Sequence, residues 1–299
     1  MATPDQWLAK LTRLKVDRAS GDPAPHKPLL LLVLLDLAEA GQLPLGVIPL
    51  TPELAFRFFT YWPIIAYRRN QRPDVRLPFH HLKSDGFWSA RDAQGMPSAD
   101  YRLTRYADLP ADLQGALMDP AWRSRARRTL IAKYFCPAER VALYAATGIP
   151  VPSDDQIKND ANVRDPAEAQ AQGREARFRL LVVSAFNYTC ALTGYRLTTI
   201  MSGSIVDAAH IHQFADSRNN DATNGLALCK NAHWLFDQGL WSVSDDYRVL
   251  VGIDRFSEDA AEGKSLESCH GQRLRLPADP QYLPNPVHLA WHRRRHGYA

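Results

Sequence analysis

The chain of 299 residues has no apolar run long enough for a membrane span. The longest, Leu29 to Leu35, is seven residues and is closed by Asp36, against the roughly 20 that a spanning helix needs. No transmembrane helix is expected, and the first residues, MATPDQWLAKLTRLKVD, carry Asp5 and Lys10 with no apolar stretch of the kind a secretory signal requires. Cysteine is scarce: the four residues, Cys136, Cys190, Cys229 and Cys269, are far apart and without framework spacing, which points to a reducing cytoplasm rather than to secretion. Neither Cys190 nor Cys229 has a second cysteine two residues on, so a four-thiolate zinc site is excluded and both read as buried hydrophobes. Neither glycine nor charge is extreme, and 45% hydrophobic with 23% charged residues excludes a collagen-like or largely disordered chain.

What remains is a chain long enough for about two domains at roughly 150 residues each. Charge divides it in the same way. Residues 1–150 hold 20 Lys and Arg against 14 Asp and Glu, whereas residues 151–299 hold 16 against 18. A basic half beside a mildly acidic one suggests a polyanion partner for the first and cations for the second. Punctuation agrees. The leucine run predicts a buried helix with Pro28 in its first turn and Gly41 as its stop. WRSRARRTLIAKYF, from Trp122 to Phe135, reads as a basic helix closing the first domain, and PVPSDDQIKNDANVRDPAEAQAQ as a linker running into a helix at 167–187. The expected domains are residues 1–148, a connection at 149–173, and residues 174–299, with no internal repeat.

The segment from Cys190 to Trp241 carries the chemistry. It reads as a strand at 205–211, a loop rich in Asp, Asn and Ser, a short strand at 226–229, and a helix at 231–238 stopped by Gly239. His210 ends the first strand, Asn224 follows fourteen residues later at the end of the loop, and His233 nine residues after that on the helix. AAHI, NGLALC and HWLFDQGL, in that order and spacing, resemble the HNH nuclease family, also called the ββα-metal family, over about 50 residues. The resemblance implies His210 as the general base that deprotonates a water, a task suited to an imidazole near neutral pH. It implies His233 as ligand to a divalent cation, and Asn224 as the residue that pins the loop or joins the metal shell. Many members carry an acidic or His ligand directly before the catalytic histidine, where this chain has Ala209. Asp207 is the substitute candidate, although alternation along a strand turns it away from His210 unless the strand bends. His212 shares the face of His210, and Asp237, one turn after His233, is a candidate to orient that ring. The implied cation is Mg²⁺ or Mn²⁺, with Co²⁺ and Ni²⁺ also suited to an imidazole ligand.

In the first half, PHKP at 25–28 and LPFHHLKSDGFW at 77–88 resemble the sulfur-binding domain that precedes HNH domains in phosphorothioate-dependent type IV restriction endonucleases. That resemblance spans residues 5 to 135. A phosphorothioate sulfur is larger and more polarisable than the oxygen it replaces and accepts hydrogen bonds weakly, so it prefers a shallow apolar seat. The resemblance places that seat at Pro78, flanked by Leu77 and Phe79, with His81 where the family often has a small residue. His26 and Lys27, at the start of the leucine helix, would hold neighbouring phosphates. Arg102 and Arg105, in YRLTRY, are candidates for a guanine edge, and Arg68, Arg69 and Arg72 for phosphate contacts. The plainer alternative makes Pro78 and Phe79 a turn and a core ring and the arginines a solvated face. HRRRH at 292–296 reads as an unspecific basic tail.

The expectation is therefore an α+β protein: a mixed α/β DNA-reading domain followed by a ββα-metal nuclease domain, cytoplasmic, acting on double-stranded DNA bearing phosphorothioates. Since one chain has one cutting site and a duplex needs two cuts, a homodimer is expected. Two alternatives stay open: a nuclease directed to methylated or unmodified DNA, and a DNA-binding module whose nuclease frame is inactive because Ala209 supplies no ligand.

Overall fold

The computed structural model describes residues 2–17, 23–68, 73–150, 166–260 and 265–298. Arg69 and Arg72 lie outside the described residues, as does most of the expected linker (151–165). The chain forms two compact units, one of Met1–Arg177 with Thr199–Gly203 and one of Phe178–Thr198 with Ser204–Ala299. Their division falls inside a single helix.

The first unit is built around α2 (His26–Glu39), in which every residue from Pro28 to Ala38 is buried. An all-round apolar helix needs partners on all sides. These are α3 (Pro52–Ile65), the short α4 (Arg76–His81), α5 (Ala111–Met118) and α6 (Pro120–Tyr134), with α1 (Pro4–Leu11) lying on α5 and α6 and α7 (Pro137–Thr147) on α3 and α6. Local sequence starts these helices: Thr51 accepts from the Leu54 amide and Pro52 follows it, and Asp119 accepts from Ala121 before Pro120. A small antiparallel sheet of order β1 (Val47–Pro49), β3 (Tyr106–Asp108), β2 (Ser89–Arg91) edges the unit.

Two of the arginines in α6 turn inward. Arg123 and Arg127 are 6% and 3% exposed and pair with Glu39, while Arg127 also reaches Asp36, 9% exposed, at 3.1 Å. Burial pushes the Asp36 carboxyl above its ordinary value against the opposing pull of Arg127. The residue that ends the longest apolar run is thus the acid of a buried ion pair. Arg125 and Arg128 stay exposed.

The second unit continues α8 (Pro166–Ala185). A short hairpin of β4 (Thr198–Thr199) and β5 (Gly203–Ser204) leads to β6 (Val206–His210), which pairs antiparallel with β7 (Gly225–Cys229) in unbroken register from Val206 opposite Cys229 to His210 opposite Gly225. The short α9 (Phe214–Ser217) sits in the intervening loop, and α10 (Lys230–Asp237) follows β7 directly. A second hairpin, β8 (Trp241–Val243) with β9 (Val249–Val251), packs its buried Trp241 on α10, the indole N–H donating to the Ala232 carbonyl at 3.1 Å. The chain returns through α11 (Pro286–Arg295), capped by Asn285 and packed on β8. No helix among the described residues is long and apolar enough to cross a membrane.

Candidate active site

The site is assembled at the open end of the β6–β7 pair. A regular strand alternates its side chains, so Val206, Ala208 and His210 share one face and Asp207, Ala209 and Ile211 the other. The absence of a bulge keeps Asp207 off the face of His210. Its carboxylate pairs with Arg179 at 2.8 Å and also accepts from the Ala208 amide. Ala209 is fully buried.

His210 is held from three sides. Its ring stacks on Phe178 with centroids 4.0 Å apart and planes 11° off parallel, and Phe214 closes a third edge at 5.6 Å. Phe178 reaches it because Gly225, directly opposite His210 in the ladder, has no side chain. A Cβ there would stand 2.9 Å from the Phe178 ring and 2.4 Å from Val182. The His210 Nε2 is 2.8 Å from the Asn220 carboxamide oxygen. An oxygen accepts at that distance, so Nε2 carries the hydrogen and the lone pair of the neutral ring resides on Nδ1.

Asn224 is 0% exposed, and its whole carboxamide is engaged by the loop. Oδ1 accepts from the His212 amide at 2.8 Å, and Nδ2 donates to the carbonyls of His212 and Asn219 at 2.9 and 3.1 Å. These bonds close the loop from the end of β6 to the start of β7, which sets Asn220 beside His210. His212 itself stacks on Trp291 at 4.1 Å, with His288 beyond it.

His233 projects from α10 and meets Asp237, four residues on, at 3.5 Å. Burial raises the Asp237 carboxyl above its ordinary value, opposed by the imidazoles of His233, His296 and His210. Asp237 therefore lies in the field of all three rings. HNH nucleases generally use a divalent metal. Among the described residues no three His, Cys, Asp or Glu side chains already surround a common point. The His233–Asp237 pair nevertheless offers an imidazole and a carboxylate on one helical face, a donor set that suits a divalent cation. The Asp237 side chain is exposed to solvent, so it is open to a cation.

A two-stranded antiparallel pair followed at once by a helix, with histidines on the first strand and on the helix, is the arrangement of a ββα nuclease domain. The HNH endonuclease family model matches residues 190–244, so the chain carries an HNH domain in its C-terminal half. No curated protein matches the chain. Among solved structures, the "Modification dependent TagI restriction endonuclease" is similar with a TM-score of 0.31 and 21% identity, over 48% of this chain and 44% of that one. The chain thus spans less than half of that protein's length.

The candidates for a DNA reader all fall in the first unit. Phe79 is wholly buried, its ring edge-on to Trp88 at 5.0 Å, and Pro78 is buried with it; Leu77 is half-buried and His81 exposed. Phe79 is a core ring that can only back a seat for sulfur. Lys27 is tied down by Asp85 at 2.7 Å, by Ser84 and by the Lys15 carbonyl, so its charge joins the start of α2 to the 82–85 turn. His26 packs against Trp62 at 5.0 Å. Arg102 and Arg105 are exposed on the loop before β3, and neither has a carboxylate partner among the described residues: Arg102 reaches the Tyr101 hydroxyl and Arg105 only carbonyls. That loop is rigidly footed, since the buried Thr104 hydroxyl lies 2.7 Å from the His80 ring and 2.9 Å from Ser98.

Sequence reading missed Asn220 and Phe178. Asn220 had a signal, the polar density of SRNND; Phe178 comes from outside the motif and had none.

Proposed function

We propose that the chain is a metal-dependent DNA endonuclease whose first unit directs it to phosphorothioated duplex DNA. The observation that carries the nuclease reading is His210, locked between Asn220 and Phe178 at a strand end and followed by His233 on the next helix. In this reading Asn220 fixes the tautomer, His210 Nδ1 takes a proton from water, and the resulting hydroxide attacks the phosphorus in line with the 3′ oxygen that leaves. A cation at the end of α10 would stabilise the negative charge on the phosphate and the leaving oxygen. His233 and Asp237 would hold it, Asp207 being engaged by Arg179, and Asn224 acts as the clamp of the loop.

The address rests on the first unit. Arg102 and Arg105, exposed and without carboxylate partners among the described residues, are suited to the acceptors of a guanine edge. Leu77 and Pro78, next to the core ring of Phe79 and followed by the exposed His81, are the candidates for the apolar wall that sulfur prefers. Two chains acting together would cut both strands.

The test is cleavage with Mn²⁺ of matched duplexes, one phosphorothioated in a GC-rich site and one plain, by wild type and His210→Ala. The expected result is cutting of the modified duplex alone, and a variant slower by about 10²-fold or more with unchanged melting temperature. Equal cutting of both duplexes overturns the sulfur address and leaves the nuclease; no cutting of either with any divalent metal overturns the nuclease. Gel filtration of the DNA complex as a strict monomer overturns the homodimer.

A further inference from the structure

The loop between β6 and β7 places an arginine where the backbone favours glycine. Arg218, at the end of the short α9, has φ +51°, a left-handed conformation that crowds any residue bearing a Cβ. The position is nonetheless pinned from both neighbours. Its own amide donates to the Phe214 carbonyl at 2.9 Å. Before it, the Ser217 hydroxyl donates to the His212 carbonyl and accepts from the Asn219 amide, each at 3.2 Å. After it, the Asn219 carbonyl accepts from the buried Asn224 at 3.1 Å, and the Asn219 carboxamide oxygen accepts from the Asp221 amide at 2.7 Å. The same loop carries Asn220, so the frame that fixes the tautomer of His210 also fixes the root of Arg218.

The side chain, by contrast, is uncommitted. Arg218 is exposed, and its guanidinium has neither a hydrogen bond nor an ion pair among the described residues. It lies over the Phe214 ring, its carbon 5.5 Å from the ring centre, and Phe214 is the ring that meets His210 at 5.6 Å. The guanidinium and the imidazole are therefore no farther apart than the sum of those two contacts. A base, the water it deprotonates, the phosphorus and a guanidinium on the phosphate oxygens occupy about 10 Å in a row. Arg218 is thus within reach of a phosphate that His210 would serve. Arg179, the other arginine described near β6, is already paired with Asp207. Attack on a phosphodiester loads charge onto its non-bridging oxygens, and a cation on a fixed mount stabilises that charge with little reorganisation.

We propose that Arg218 is a catalytic residue of this nuclease site, its guanidinium donating two hydrogen bonds to the non-bridging oxygens of the phosphate under attack. The inference rests on the nuclease reading above and adds a residue outside the trio of His210, Asn224 and His233. In the step it serves, water gives one proton to His210 Nδ1, the hydroxide oxygen bonds to phosphorus, and the bond to the 3′ oxygen breaks with its electron pair on that oxygen. Arg218 stays protonated throughout and transfers nothing. Its planar fork matches two phosphate oxygens at once, which an ammonium does not. A left-handed backbone kept for an arginine instead of a glycine is then strain held at a functional position.

The experiment uses the full chain, with wild type, Arg218→Gly and Arg218→Lys compared in Mn²⁺ on the duplex that wild type cuts best. Arg218→Gly is the informative variant, because glycine suits the left-handed backbone while removing the guanidinium, and it should melt at or above the wild-type temperature. With enzyme in excess, its single-turnover rate is expected to fall by about 10²-fold or more. Its affinity for the uncut duplex without divalent metal should fall by less than about tenfold, with a salt slope shallower by about one phosphate contact. Guanidinium chloride should restore part of the rate where the same concentration of sodium chloride does not, and Arg218→Lys should cut at an intermediate rate. An Arg218→Gly protein that cuts within about threefold of wild type overturns the proposal. So does one that is slow, melts well below wild type and ignores guanidinium, which makes Arg218 a packing residue over Phe214. If wild type cuts no duplex with any divalent metal, the nuclease reading itself falls, and this inference with it.

Discussion

Replacing Asn224 with aspartate exchanges one NH₂ for an oxygen and should unhook the loop between β6 and β7. The acceptor bond from the His212 amide survives, because Oδ1 remains. The two bonds that Nδ2 donates, to the carbonyls of His212 and Asn219, are lost, and an oxygen now faces two oxygens at 0% exposure. Two buried hydrogen bonds contribute about 1 kcal/mol each, and leaving their partners unsatisfied beside a buried charge adds about 2 kcal/mol more. The sum of about 4 kcal/mol lowers the melting temperature of a unit this size by about 10 °C or more. Asn224→Ala removes all three bonds without introducing a charge and should cost about 3 kcal/mol. Thermal unfolding followed by circular dichroism, with Mn²⁺-dependent cleavage measured well below the transition, checks both expectations. Cleavage should fall even where the protein is folded, because Asn220 loses its position beside His210. An Asn224→Asp protein that melts within about 2 °C of wild type and cuts at the wild-type rate would refute the clamp.

Asp207→Asn should leave cleavage within about threefold of wild type, since its carboxylate serves a half-exposed pair with Arg179 worth little in stability; a loss of 100-fold or more would restore Asp207 as a metal ligand. His292 should make the second unit acid-sensitive. Its ring is buried, with Nδ1 on the Ser242 hydroxyl and Nε2 on the Phe236 carbonyl, and burial lowers its pKa from 6.5 to about 3. The unfolded chain therefore binds the proton that the folded chain refuses, and stability falls as pH drops from 6.5 toward 3, by about 1.4 kcal/mol for each pH unit. Urea midpoints at pH 7 and pH 5 should differ by less in His292→Gln than in wild type; equal differences would sink the assignment. Arg127→Met should destabilise the first unit by about 3–5 kcal/mol by stranding the Asp36 carboxyl in the core, and Asp36→Asn in the same chain should recover part of that, as read by urea unfolding.

The ββα segment was legible because its elements follow local rules. The alternation around His210, the NG step before β7 and the glycine after α10 placed strand, strand and helix within a residue or two of where they occur. The leucine helix was legible for the same reason, through Pro28 and Gly41. What stayed hidden was long-range pairing. Nothing near Arg123 or Arg127 announces that Asp36 and Glu39, over 80 residues earlier, draw them inward, so the basic helix looked like a charged face. Lys27 looked like an anion contact until Asp85 proved to hold it. The seating of the His296 ring on Gly239 depends on Arg255 and Tyr298 fastening the C-terminal segment, a tertiary event with no periodicity to betray it.

The inward-facing arginines of α6 change what ionic strength can reveal about DNA binding. A cation that neutralises a phosphate displaces roughly one condensed counter-ion, so the logarithmic decline of affinity with salt counts the protein charges that reach the backbone. Arg123, Arg127 and Lys27 are already neutralised in place by Glu39, Asp36 and Asp85, and they displace no counter-ions. The number of basic residues in the first 150 positions, as distinct from their excess over acidic ones, therefore overstates how many cations are placed to meet a polyanion. On the proposed DNA-reading role, the salt dependence of binding should count fewer phosphate contacts than the basic residues of this half suggest.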